Sequence, residues 1–64
     1  MTKNEILQAV NWALTQKYTN IITQETTPVT KDDPIAVVTK VREYFNTNNI
    51  TYETFSYENL KSYL

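Results

Sequence analysis

The chain has 64 residues, a formal charge of −1 from six basic and seven acidic side chains, and no Gly, Cys or His. That inventory excludes a disulfide framework, a zinc ligand set, a glycine-rich phosphate loop and the usual nucleophile–base couples. The two signs of charge are interspersed, so the chain also lacks the basic footprint that neutralising a phosphate backbone demands.

The first predicted element is a helix over about residues 3–19. Thr2 and Glu5 have capping-box spacing, in which each side chain satisfies the other's backbone N–H. Leu7, Val10, Leu14, Tyr18 and Ile21 recur at steps of three and four, and Ile6, Ala9 and Ala13 widen that face. Beyond it, YTNIITQET is rich in β-branched residues and reads equally as a short strand. The most loop-like stretch is Glu25 to Asp33, bounded by its prolines and charges. Without glycine, positive backbone φ falls to the next best residue, which makes Asn20, Asn46, Asn48 and Asn49 the candidates.

A second helix is predicted over 34–47. Pro34 suits a first helical position, Asp33 can cap it, and Val37, Val38, Val41, Tyr44 and Phe45 form the apolar stripe. A third is predicted over 52–63, capped by Thr51 with Ile50 and Phe55 as a hydrophobic staple. The fold expected is therefore mostly α, a small three-helix domain filling residues 1–64 without linker or tail. The alternative is α+β, with an antiparallel strand pair at about 20–25 and 49–55 and a short last helix capped by Ser56.

A domain of this length buries only about 60% of the surface its unfolded chain exposes. With neither cross-link nor metal, it is expected to gain order by association, as a homo-oligomer or with a protein partner. The opening MTKNEILQAV lacks the features of a secretory signal, and no stretch approaches the roughly 20 apolar residues of a membrane span. A cytoplasmic protein with no membrane contact is the expectation. Abundant Asn, Lys, Ile and Tyr accompany AT-rich coding sequence, as in phage and plasmid accessory proteins.

An enzyme is not expected, and neither is a cofactor or a metal. Asp32 and Asp33 are the one adjacent carboxylate couple, and helix capping accounts for them. The function expected is protein binding of a regulatory, inhibitor-like or adaptor-like kind. Trp12 lies away from the Leu7–Leu14–Ile21 line, between Gln8 and Gln16, and Trp and Tyr dominate the energetic centres of interfaces. Trp12, Tyr52, Tyr57 and Tyr63 are thus the candidate partner-binding residues, with burial of Trp12 against the third helix as the competing reading.

A second functional reading is a helix-turn-helix-like DNA-binding regulator, because NTNNI joins the last two predicted helices. In it Asn59 and Lys61 would face base edges, Tyr57 a phosphate, and Lys40 and Arg42 would anchor the backbone. Glu53 and Glu58 leave that candidate helix with negative net charge, which disfavours the reading. A third is a structural component of a larger assembly.

Overall fold

A computed structural model describes residues 2–64. The elements, in chain order, are helix α1 (Lys3–Ala13), strands β1 (Lys17–Thr19) and β2 (Thr26–Pro28), helix α2 (Pro34–Thr47) and a one-turn helix α3 (Tyr57–Leu60) continued by the 3₁₀ turn Lys61–Tyr63. The fold is mostly helical with one antiparallel strand pair, in the register Lys17–Pro28, Tyr18–Thr27 and Thr19–Thr26.

The capping box at the start of α1 forms as the spacing implies. The Glu5 N–H donates to Thr2 Oγ1 at 3.1 Å, and the Thr2 N–H donates to Glu5 Oε1 at 2.7 Å. The helix stops at Ala13, however, six residues before the predicted end. Thr15 turns its hydroxyl back onto the Trp12 carbonyl at 2.6 Å, and the residues that follow include the β-branched Thr19, Ile21 and Ile22, which favour extended geometry.

The buried face of α1 is also rotated from the predicted stripe. Ile6, Ala9, Val10 and Ala13 face the core, whereas Leu7 and Leu14 are exposed. Alanine at positions 9 and 13 lets α1 approach α2 closely, and close approach leaves no room for leucine on that line.

Helix α2 keeps its predicted bounds, with Pro34 in the first turn and Asp33 Oδ1 accepting from the Ala36 N–H at 3.2 Å. It ends in a Schellman arrangement: Asn49 takes φ 55°, and the Ile50 N–H reaches the Phe45 carbonyl at 2.9 Å. Asparagine thus fills the left-handed position that glycine usually holds.

After this reversal residues 51–56 form no regular secondary structure, which moves the start of the third helix from the predicted 52 to Tyr57. There Asn59 Oδ1 accepts from the Ser56 N–H at 2.9 Å, so Ser56 rather than Thr51 opens α3. This non-helical run lays Tyr52 and Phe55 on Phe45, with ring centres 5.3 and 5.8 Å away. A β-branched and aromatic run has poor helix propensity, and these ring contacts reward the non-helical path.

The strand pair also differs from the alternative pairing of 20–25 with 49–55. The hairpin is local: 20–25 is its connection, and strand β2 lies inside the stretch that reads most like loop. The core is one cluster built around Phe45, Leu60, Val10, Val37 and Val41, all fully buried, which Val29, the residue after β2, also joins. Among the described residues no helix is long and apolar enough to cross a membrane.

Candidate functional site

The hairpin carries the feature that the core does not explain. Strands β1 and β2 are joined by Asn20 to Glu25, closed by the Asn20 N–H donating to the Glu25 carbonyl at 2.9 Å. Asn20 Oδ1 accepts from the N–H groups of Ile22 and Thr23 at 2.9 and 3.1 Å, an Asx-type turn. Gln24 completes the reversal with φ 60°. These constraints hold two adjacent isoleucines, Ile21 and Ile22, out in solvent at 84% and 92% exposure.

Turns favour Gly, Pro, Asn, Asp and Ser, and a β-branched apolar pair at a turn violates that chemistry at both positions. Such local violations concentrate at functional sites. Ile35, in the first turn of α2, is 69% exposed and belongs to the same surface. A groove of about 550 Å³ runs between the hairpin and the start of α2, with Tyr18, Ile21, Ile22 and Ile35 supplying its apolar lining. Its charged lining is acidic, from Glu25 and Asp33.

A second groove, of about 360 Å³, continues along α2 from Ile35 through Val38 and Thr39 to Arg42, with Tyr57 as a side wall. Tyr57 is fixed there by its hydroxyl, which donates to the Lys31 carbonyl. The shared Ile35 joins the two grooves into one strip, with Glu25 of the hairpin and Asp33 at the start of α2 on one side of Ile35 and Arg42 on the other. Among the described residues neither Glu25 nor Arg42 takes part in an ion pair.

Of the residues read as partner-binding from sequence, Tyr57 alone lines this strip. Trp12 is half-buried, packing on Tyr44 of α2 and against the core cluster. Tyr52 is half-buried between Phe45 and Phe55, with its hydroxyl donating to Asn46 Oδ1 at 3.2 Å. Tyr63 is half-buried against the core at the C-terminal turn.

The residues of the nucleic-acid reading are not gathered on one element. Lys40 pairs with Glu43 at 3.0 Å on α2, and Lys61 lies 3.7 Å from Glu58. The Asn59 carboxamide oxygen is occupied by Ser56 at the start of α3, a helix of four residues. Among the described residues no group of three or more potential metal ligands comes together.

Sequence reasoning missed Ile21, Ile22 and Ile35 because it assigned the first to a helical stripe and weighed aromatics above isoleucines. The available signal was the pair Ile21–Ile22 placed directly after a turn-forming asparagine. Against family models, curated proteins and solved structures, the chain matches none.

Proposed function

We infer that this chain is a small non-catalytic binding protein that engages another polypeptide through the strip running from Ile21 and Ile22 across Ile35 to Arg42. One observation carries the reading: Ile21 and Ile22 are held almost fully exposed by a turn closed on its own hydrogen bonds. Contiguous exposed apolar surface with a polar rim marks interaction sites on soluble domains. The absence of His, Cys and Gly supports a binding role over a catalytic one, since it removes the common general base, nucleophile and phosphate loop.

The test is recovery of the tagged protein with its bound polypeptide, before and after nuclease treatment, beside an Ile21→Asp/Ile22→Asp variant. Both positions are solvent-exposed, so the variant keeps its helical circular dichroism. A polypeptide that survives nuclease and is lost from the variant supports the reading. Equal recovery by both forms, or loss on nuclease treatment alone, rejects it.

A further inference from the structure

We propose that the occupant of the strip is a second copy of this chain, packed about a two-fold axis close to Ile35. This rests on the reading of the strip as a binding surface and assigns its partner. Symmetry and charge together select that partner. In a two-fold interface residue i of one protomer meets residue j of its partner, and j meets i, so the patch must contain its own complement.

This strip does. Glu25 and Asp33 lie on the hairpin side of Ile35 and Arg42 on the other, about 10 Å along α2 at 1.5 Å per residue. Two strips laid antiparallel, Ile35 near Ile35, set each Arg42 against Glu25 of the other protomer. The exposed Ile21 and Ile22 of each copy then fall towards the groove lined by Ile35 and Val38 of the other. Asp33 already caps α2 through the Ala36 N–H, so Glu25 is the carboxylate left for Arg42.

Parallel packing would set acid against acid, and a uniformly basic partner would leave Arg42 facing like charge. Of the two ways of laying one copy on another, the antiparallel one matches both ends at once. A standard interface of about 800 Å² per partner would cover close to a sixth of the 4562 Å² surface. The charged contact occurs twice by symmetry, so one substitution alters two sites per dimer.

The experiment is sedimentation equilibrium of wild type, Glu25→Arg, Arg42→Glu and an equimolar mixture of the two variants. The wild type should be a reversible dimer. Each variant alone should associate about a hundredfold more weakly, because like charges then face each other at both ends. The mixture should recover the dimer, because one protomer is then basic at both ends of its strip and its partner acidic at both, so each contact again joins opposite charges.

A monomeric wild type, variants that dimerise as wild type does, or a mixture that stays monomeric overturns the proposal. Glu25 and Arg42 are exposed, so the variants should fold, and circular dichroism is the check on each. Glu25→Gln and Arg42→Gln serve in place of any that does not, each expected to weaken the dimer less than a reversal. Ile35→Asp separates the two readings, since an acidic residue in the first turn suits the helix dipole and leaves α2 intact. If Ile35→Asp dissociates a wild-type dimer that the charge variants leave untouched, the strip remains a binding surface and the antiparallel arrangement is rejected.

Discussion

The indole of Trp12 on α1 lies 5.8 Å from the phenol ring of Tyr44 on α2, the two planes tilted by 47°. Tyr44 in turn donates its hydroxyl to Gln8 Oε1 at 3.2 Å. The two aromatics therefore act as a strut between the helices along the outer edge of their contact, where Ala9 and Ala13 bring the backbones close. A residue singled out as a docking group from its helical position is thereby tied to the fold.

Trp12→Ala should lower the free energy of unfolding by about 2 kcal/mol, less than the 3–5 kcal/mol typical of a fully buried aromatic because the ring is only partly buried. Urea denaturation gives that value, and self-association of the folded variant should equal that of wild type. Loss of association at unchanged stability would restore Trp12 to a docking role.

Phe45→Ala should cost about 3–5 kcal/mol. For 64 residues that is a large share of the whole stability. Phe45 is fully buried and touches Tyr44, Tyr52 and Phe55 ring to ring, so its loss unseats both the end of α2 and the irregular 51–56 run. A cooperative thermal transition at or above the wild-type midpoint would contradict this assignment.

Asn49→Gly should raise stability by about 0.5–1 kcal/mol, since residue 49 sits at positive φ where a Cβ is strained. Gln24→Gly should act the same way at the hairpin. Each should move the melting midpoint up by roughly 2–8 °C for a domain of this size. A fall in either midpoint would mean that the residue's side chain contributes more than its backbone costs.

Asn20→Ala removes the acceptor shared by the Ile22 and Thr23 N–H groups. Amide exchange at those two positions should accelerate at least about tenfold, while global stability changes by about 1 kcal/mol or less because the tip is exposed. Association should weaken in parallel, since the isoleucines would have to be ordered on binding. Unchanged exchange would place the rigidity of the tip elsewhere.

Local chemistry was legible wherever a short-range interaction decides the outcome. Thr2 with Glu5 satisfies backbone N–H groups within one turn, and Asp33 does so for Ala36 ahead of Pro34, which has no N–H to satisfy, so these spacings alone announce a helix start. The end of α2 belongs with them in part: of the asparagines expected at positive φ, Asn49 takes it and Asn20, Asn46 and Asn48 do not, while Gln24 does. The candidate strip was less legible: Tyr57 and Arg42 were among the residues weighed, and the isoleucines that define the strip were not. Periodicity placed Ile21 on the line of Leu7 and Leu14, but that line faces solvent.

Sequence by itself thus set the mostly helical content, the starts of both long helices and the poverty of catalytic groups, because these follow from side chains a few positions apart or from composition. Tertiary packing decided which face of α1 is buried, where that helix stops, and that residues 51–56 leave the helical path to set Tyr52 and Phe55 on Phe45. Those outcomes turn on how closely two helices approach and on which rings meet across long separations. It also decided that Ile21, Ile22 and Ile35, fourteen positions apart at their extremes, share one surface with a carboxylate at one end and a guanidinium at the other.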